Sequence, residues 1–156
     1  MNLRFDFALT HEELERVWGS SLPRASEKGY PQIFDKMCHW VLFDNNKAIA
    51  YTSSLTMSGD YAFVGNTYVR EGWRGKGLHS LLLEYRNNAP HMKNRSKVTV
   101  VNPIENAKMQ NLISVISKLG YTKVQSIHDV SDLMPEWLYH SISDTGKQIW
   151  RLDNEE

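Results

Sequence analysis

The stretch of sequence that decides the fold is residues 69–80, which read VREGWRGKGLHS. Residues 61–69, which lead into this stretch, have the β-branched and aromatic content of a strand. After Gly77 the apolar period changes to that of a helix, with Leu78, Leu81, Leu82 and Tyr85 on one face. Residues 69–80 are therefore predicted to join a strand to a helix.

The composition of this junction predicts an anion site. The first turn of a helix leaves backbone N–H groups unpaired and carries partial positive charge. Gly75 and Gly77 have no side chains, so a phosphate can approach those N–H groups, and Arg74 and Lys76 add positive charge nearby. A diphosphate is the expected ligand.

Two other phosphate-binding motifs do not fit. A nucleotide P-loop needs Ser or Thr after its Lys and a glycine six positions before it, whereas Gly77 follows Lys76 and position 70 is Arg70. A dinucleotide fingerprint needs a third glycine where Ser80 stands, and its strand opens a βαβ unit rather than ending a meander. The remaining alternative is a glycine-rich turn with solvated cations.

The first half of the chain predicts an antiparallel meander. A short edge strand is expected at residues 2–8, followed by a helix that Thr10 caps. Residues 20–31 read as a loop and residues 31–38 as a second short helix. Three strands separated by turn signals follow, at residues 39–43, 47–57 and 61–69.

The second half adds a strand, a helix and two final strands. Residues 96–101 predict a β-branched strand, and residues 104–119 an amphipathic helix that stops at Gly120. Two last strands are expected at residues 121–127 and 148–152, with a helical turn at 135–140 between them. The order predicts a mixed α/β fold with a βαβ unit in its middle.

Composition limits the class of protein. A chain of 156 residues is expected to form a single domain over residues 1–156, which needs no structural metal. Lys and Arg together number 18, and Asp and Glu together also number 18, so the formal net charge is zero. We therefore expect no nucleic-acid or membrane partner. Cys38 is the only cysteine and no signal or membrane-spanning stretch is recognised, so a cytoplasmic location is expected.

The glycine junction resembles a known motif. Val69, Arg74 to Leu78 and the SLLL run at 80–83 are similar to motif A of the GNAT superfamily of N-acetyltransferases, which reads Arg or Gln, x, x, Gly, x, Gly or Ala. His79 stands where that motif has a small residue, so its side chain is expected to point outward. The resemblance implies a GNAT-like α/β fold: a central, mostly antiparallel sheet of about six to seven strands flanked by about four helices.

The resemblance also implies acetyl-CoA as the acetyl donor and assigns its contacts. The pantetheine arm would pair with the backbone of Thr67, Tyr68 and Val69, beside a bulge at Gly65 and Asn66 that opens the cleft. Alternatively, Gly65 only eases a bend. The diphosphate would be bound by the residues of the junction, Arg74, Gly75, Lys76, Gly77, Leu78, His79 and Ser80.

A second cofactor element of the family is an Asn-initiated helix that ends in Lys-x-Gly and an aromatic. Asn106 and the run from Lys118 to Tyr121 resemble this element. The family's asparagine would fall at Met109, one helical turn after Asn106, and Asn106 is the residue carried over.

The catalytic groups are less clearly marked. The family often uses a strand carboxylate, but residues 61–69 contain no acid, so the amine proton is expected to leave through ordered water. Glu71, His79 and His91 are candidates for a relay, each with the alternative of an ordinary solvated residue. Ile116 occupies the position of the family's tyrosine acid; Tyr121 is the nearest substitute, although a packing role fits it better.

The resulting hypothesis is an N-acetyltransferase that moves an acetyl group from acetyl-CoA to an amine of a small molecule or protein by direct attack. The alternative is a catalytically silent acyl-CoA-binding module that senses the cofactor or binds a partner. The acceptor pocket is expected from residues 18–34 with Trp137, Tyr139 and His140. The same aromatic residues would otherwise form core or the surface of a homodimer.

Overall fold

The computed structural model describes residues 1–20, 22–23, 36–56, 60–101, 107–144 and 146–154. Their strands form one seven-stranded sheet in the order β1-β2-β3-β4-β5-β7-β6. The strands are β1 (Leu3–Ala8), β2 (Cys38–Asp44), β3 (Lys47–Thr56), β4 (Tyr61–Val69), β5 (Ser96–Val101), β6 (Thr122–Lys123) and β7 (Gln148–Leu152). The α-helices of the described residues are α1 (His11–Trp18), α2 (Leu78–Asn87), α3 (Ala107–Lys118) and α4 (Glu136–Ser143). The predicted mixed α/β class and mostly antiparallel sheet are confirmed.

The chain divides into two compact units. The first consists of Met1–Thr56 and Val64–Ala89, and the second of Met57–Phe63 and Pro90–Glu156. The first unit thus holds β1 to β3, most of β4, and the helices α1 and α2. The second holds the start of β4, then β5 to β7, α3 and α4.

In the first unit, β1 and β3 flank β2 in antiparallel register. Leu3 lies opposite Asp44 at one end of the β1–β2 pair, and Ala8 lies opposite His39 at the other. Helix α1 begins where Thr10 Oγ1 accepts a hydrogen bond from Glu13 N at 3.2 Å, the predicted cap. The apolar side of α1 packs on this sheet in a buried cluster: Ala8, Leu14, Trp18, Val41, Phe43, Ala48 and Tyr51, with Tyr68 against it.

In the second unit, β5 pairs with β7 in antiparallel fashion and with β4 in parallel, along Tyr61 to Phe63. Two parallel strands joined through α2 form the βαβ unit that the sequence predicted. Helix α3 is found at Ala107–Lys118, and the predicted residues 104–106 lie outside the described residues. The helix predicted at 31–38 also lies outside them except at its end, where Cys38 already belongs to β2.

The strand predicted at 121–127 is too long. Strand β6 ends at Lys123, and residues 127–129 form a turn of 3₁₀ helix instead. The cause is Asp129, whose Oδ2 accepts hydrogen bonds from the backbone N–H groups of Gln125 and Ser126 at 2.8 and 3.1 Å. A side chain that caps these groups removes them from strand pairing.

Gly120 ends α3 in a left-handed conformation, with φ at 98°, and an added Cβ would lie 3.2 Å from Leu152 Cδ1. We therefore expect Gly120→Ala to lower the free energy of unfolding by about 1–2 kcal/mol in urea denaturation. Gly72→Ala is the matched control, because Gly72 has no positive φ and nothing within 4 Å of an added Cβ. Equal stability of the two variants would contradict this account.

Candidate functional site

The start of α2 is open at its first turn. Its N-cap, Gly77, has φ at 75° and provides no side-chain cap. The first helical hydrogen bond runs from Leu81 N to Gly77 O at 3.3 Å, so the N–H groups of Leu78, His79 and Ser80 have no partner within the helix. This first turn offers a cluster of donors and the positive end of the helix dipole.

The backbone angles at Gly75 and Gly77, before the helix, favour glycine. Gly75 has φ at 77° and Gly77 at 75°, a region that other residues rarely adopt. No described atom lies within 4 Å of a Cβ built on either of them. The described residues therefore leave open space at the Cβ positions of both glycines.

Two cations flank this turn, and both are exposed. Arg74 Nε donates to Val69 O at 2.8 Å, and its guanidinium lies 5.2 Å from the centroid of the Tyr68 ring. Lys76 adds a second positive charge. The predicted diphosphate residues Arg74 to Ser80 are thus brought together in one turn.

Arg70 and Trp73 anchor the chain between β4 and the glycines. Arg70 Nε donates to Ala48 O at 2.7 Å, its Nη2 donates to Trp18 O at 2.9 Å, and its guanidinium stacks 3.9 Å over the Trp18 ring. Trp73 Nε1 donates to Asp44 Oδ2 at 3.1 Å. These contacts fix the turn against the first unit, and Arg70 is therefore structural.

His79 does not follow the prediction that its side chain points outward. Its Nε2 atom is buried and has no hydrogen-bond partner in the part of the chain that the structure describes. Burial, with a contribution from Arg86, lowers the pKa of His79. The Nε2 edge of the ring is thus covered, although the residue as a whole is half-buried. Its backbone N–H still belongs to the open first turn.

Strand β4 carries a backbone irregularity at the predicted bulge. Asn66 adopts φ of 52°, whereas Gly65 is not in the left-handed region. Such conformations in residues other than glycine are costly, and they concentrate at functional sites. Asn66 Nδ2 donates to Ser53 Oγ at 3.1 Å, which holds the irregular residue to β3.

Ser53 links Asn66 to His39 in a buried series of polar side chains. Its Oγ is hydrogen-bonded to His39 Nδ1, and both residues have no exposed surface. Desolvation, assisted by His11, lowers the pKa of His39 to about 4. Neutral His39 therefore supports Ser53, and through it Asn66. Sequence reasoning missed this chain, although polar residues at 39, 53 and 66 interrupt otherwise apolar strands.

A second buried chain reaches the next residue of β4. Thr67 Oγ1 lies 2.7 Å from Thr52 Oγ1, which accepts a hydrogen bond from Arg86 Nη1 at 2.9 Å. Arg86 is on α2 and is 2% exposed. Thr67 was predicted to contact the donor, whereas Thr52 and Arg86 were missed, because Arg86 reads in sequence as an exposed helix residue.

The other predicted residues are scattered. Glu71 is exposed in the 3₁₀ turn before the glycines, and His91 is exposed in the second unit, where partial burial and Arg95 lower its pKa. Tyr121 is 3% exposed, which favours packing over acid catalysis. Asn106 lies outside the described residues.

The predicted acceptor pocket is described only in part. Trp18 is buried core, packed edge to face on Tyr51 and Tyr68, and most of residues 19–34 lie outside the described residues. Trp137 and His140 are exposed on α4, and Tyr139 is half-buried there. Among the described residues no group of three His, Cys, Asp or Glu side chains could hold a metal ion. None of the helices described is both long and apolar enough to cross a membrane.

Comparison with known families adds to this geometry. Residues 7–101 match the acetyltransferase (GNAT) family. The chain belongs to this family. The match runs from the end of β1 through β5, including the glycine turn and α2, and it makes the protein an acyl-CoA-dependent N-acetyltransferase with acetyl-CoA as the donor. A search of curated proteins finds no match.

Solved structures of acetyltransferases share the fold. The ribosomal-protein-S18-alanine N-acetyltransferase from Escherichia coli has a TM-score of 0.65 and 16% identity, covering 99% of this chain and 95% of that one. Arabidopsis thaliana Naa50 in complex with a bisubstrate analogue, CoA-Ac-MVNAL, has a TM-score of 0.63 and 13% identity, covering 98% and 99%. An acyl-CoA N-acyltransferase from Pseudomonas aeruginosa has a TM-score of 0.61 and 12% identity, covering 97% and 100%.

Replacement of Gly77 separates charge from backbone strain. Asn and Asp have similar size and both tolerate the left-handed conformation, but only Asp adds negative charge to the first turn of α2. We expect millimolar acetyl-CoA to raise the melting temperature of the parent and of Gly77→Asn, and to leave that of Gly77→Asp unchanged. An equal rise in melting temperature for Gly77→Asp and Gly77→Asn would contradict binding of the diphosphate at this turn.

His39 predicts a loss of stability in mild acid. Its pKa is about 4 in the folded protein, against 6.5 for the unfolded chain, so the unfolded state binds the additional proton between these values. The free energy of unfolding should fall as pH drops below 6.5, by about 3 kcal/mol at pH 4. Urea denaturation at pH 7 and pH 5 measures it.

His39→Gln keeps an acceptor for Ser53 but does not titrate, so its difference between pH 7 and pH 5 should be smaller than that of the parent. The exposed His128 supplies the control, since His128→Gln should retain the parent's dependence on pH. A parent-like difference in His39→Gln would show that another group causes the acid sensitivity.

Proposed function

We propose that this acetyltransferase moves the acetyl group of acetyl-CoA directly to an amine of a small molecule or a protein. The observation that carries the proposal is the uncapped first turn of α2, preceded by left-handed Gly75 and Gly77. Its free N–H groups and open space fit the diphosphate of coenzyme A. Arg74 and Lys76 would supply charge to the same group.

Strand β4 supports a place for the rest of the donor. Among the described residues, β4 pairs with β5 along Tyr61, Ala62 and Phe63, whereas β4 itself continues to Val69. Backbone groups on the later part of this edge would pair with an extended arm. Thr67, Tyr68 and Val69 would bind the pantetheine in this way, as motif A implies.

Direct attack requires a neutral amine. The amine nitrogen forms a bond to the thioester carbon, the bond from carbon to sulfur breaks, and coenzyme A leaves as a thiolate that takes up a proton. A lysine-like amine has a pKa of about 10.4, so roughly one molecule in a few thousand is neutral at pH 7. Because β4 has no acidic side chain, we propose that the proton leaves through water.

The acceptor is proposed only as a class. The structural neighbours from Escherichia coli and Arabidopsis thaliana act on a protein alanine or hold a peptide analogue, which supports including protein amines. A cytoplasmic location is proposed from Cys38, whose partly buried thiol has a raised pKa and is hydrogen-bonded to Ser54. Such a thiol would stay reduced there.

The test is release of coenzyme A thiol over a panel of polyamines, amino acids, peptides with free N-termini and peptides with internal lysine. We expect release that depends on both enzyme and amine, with acetylated product detected by mass spectrometry. For a lysine-like acceptor the rate should rise about tenfold per pH unit below the pKa of the amine. Gly77→Asn should retain the activity and Gly77→Asp should lose it.

Two outcomes would count against the proposal. Binding of acetyl-CoA with no turnover on any amine would favour the alternative, a catalytically silent acyl-CoA-binding module. Hydrolysis of acetyl-CoA at the same rate with and without amine would exclude direct transfer to an amine. Enzyme without acetyl-CoA gives the blank for the thiol of Cys38.

A further inference from the structure

We propose that the hydroxyl of Thr67 donates a hydrogen bond to the carbonyl oxygen of the donor's thioester, and that Thr52 and Arg86 direct its proton there. The inference rests on the proposed function, because it needs an acyl-CoA along β4. It makes Thr67 a catalytic residue and the other two positioning residues. The proposal rests on the directions of two hydrogen bonds, from Arg86 to Thr52 and from Thr52 to Thr67.

The series of hydrogen bonds begins at Arg86, whose side chain can only donate. Arg86 lies in the last turn of α2 and is 2% exposed. Its guanidinium has five N–H donors and no acceptor, and it stays charged inside the protein. The bond from Nη1 to Thr52 Oγ1, at 2.9 Å, therefore makes Thr52 the acceptor.

Thr52 must then pass its own hydrogen onward. It is 0% exposed, so its hydroxyl hydrogen cannot be satisfied by bulk water. Among the described residues the acceptor in reach is Thr67 Oγ1, at 2.7 Å. Buried polar hydrogens are rarely left without an acceptor because that is costly, so Thr52 donates to Thr67.

Thr67 is left with a hydrogen that points away from Thr52. The residue is only half-buried, so we infer that this hydrogen is directed to solvent or a bound ligand. Each donor in such a chain polarises the next, and a cation at its head strengthens the last one. The hydroxyl of Thr67 is thus a hydrogen-bond donor whose hydrogen has a fixed direction and can bind an oxygen atom of a ligand.

The hydrogen-bond acceptor that fits Thr67 is the carbonyl oxygen of the donor's thioester. The diphosphate of the donor is assigned to the turn before α2, and Thr67 is the residue of Thr67, Tyr68 and Val69 that is farthest along β4 from this turn. The acyl group lies at the far end of the pantetheine arm from the diphosphate. Its carbonyl oxygen gains negative charge when the amine attacks, and a donor already in place stabilises that charge without reorganisation.

The backbone at Thr67 is also held from the other face of the sheet. Thr52 and Ser53 are successive residues of β3, so their side chains point to opposite faces. Thr52 binds Thr67, and Ser53 binds Asn66, the residue before it. Consecutive residues of β4 are thereby fixed from both sides, which limits motion of the proposed donor.

Infrared spectroscopy tests the hydrogen bond without an acceptor amine. Acetyl-CoA labelled with ¹³C at the thioester carbonyl should show a lower stretching frequency when bound to the parent than in water. Thr67→Val keeps the shape of the side chain and should lose this shift, whereas Thr67→Ser should keep it. Thr56→Val is the control, because Thr56 is exposed at the end of β3.

Kinetics with the best amine of the panel gives a second readout. Removal of one donor to a developing oxyanion lowers the rate by about 100-fold or more, so Thr67→Val should lower kcat by about 100-fold with little change in acetyl-CoA affinity. Thr52→Val leaves the Thr67 hydroxyl in place but undirected, and should cause a smaller loss. The double variant should resemble Thr67→Val alone, since the two residues act as one chain.

The outcomes separate this inference from the proposed function. If the parent shows no rise in melting temperature with acetyl-CoA, the proposed function fails. If it binds acetyl-CoA and the carbonyl frequency is the same in the parent and in Thr67→Val, the role of Thr67 is overturned. Should Thr67→Val not fold, an unchanged frequency in Thr52→Val would overturn the directed chain.

Discussion

The first turn of α2 has backbone N–H groups that the described part of the chain leaves to water or a ligand. This is a consequence of Gly77, which begins the helix from a left-handed conformation and has no side chain to cap it. In water alone these groups are solvated at little cost. A diphosphate replaces several waters at once and adds its charge to the positive end of the helix, so the missing cap creates the site.

An open turn binds well only if it is held in place. Here Arg70 ties the end of β4 to the carbonyls of Trp18 and Ala48, and Trp73 ties the 3₁₀ turn to Asp44. These contacts reach α1 and both ends of the turn between β2 and β3. Because folding has already ordered the residues before the glycines, little conformational entropy is lost there when an anion binds.

The sequence predicted the parts that depend on local pattern. Residues 61–69 have the residue types of a strand and follow a turn signal, the apolar period changes after Gly77, and the observed bounds of β4 and α2 agree with both signals. The strand at 121–127 was overextended because the hydrogen bonds of Asp129 to Gln125 and Ser126 compete with pairing in a way that periodicity does not register. His79 was placed outward because its motif position favours a small residue, whereas the structure buries its Nε2.

The buried polar chains could not be predicted because they depend on register. His39 meets Ser53 because these residues are opposite each other in the β2–β3 pair. Thr52 meets Thr67 across β3 and β4, and Arg86 reaches Thr52 only once α2 has packed on the sheet. Such partners are separated by many residues, and each side chain alone has an ordinary alternative as a solvated polar residue.

Helix α2 links the two ends of the proposed donor site. Its first turn provides the N–H groups for the diphosphate, and its last turn provides Arg86, eight residues after Leu78 and thus about 12 Å along the helix axis. Both contributions are positive in a chain whose formal net charge is zero, so the field at the site comes from placement rather than from composition. Because a helix moves as a rigid body, the packing of α2 on β3 sets the position of both contributions together. Strand β4, fixed at Asn66 and Thr67 from its two faces, is the surface along which the rest of the donor would then be aligned.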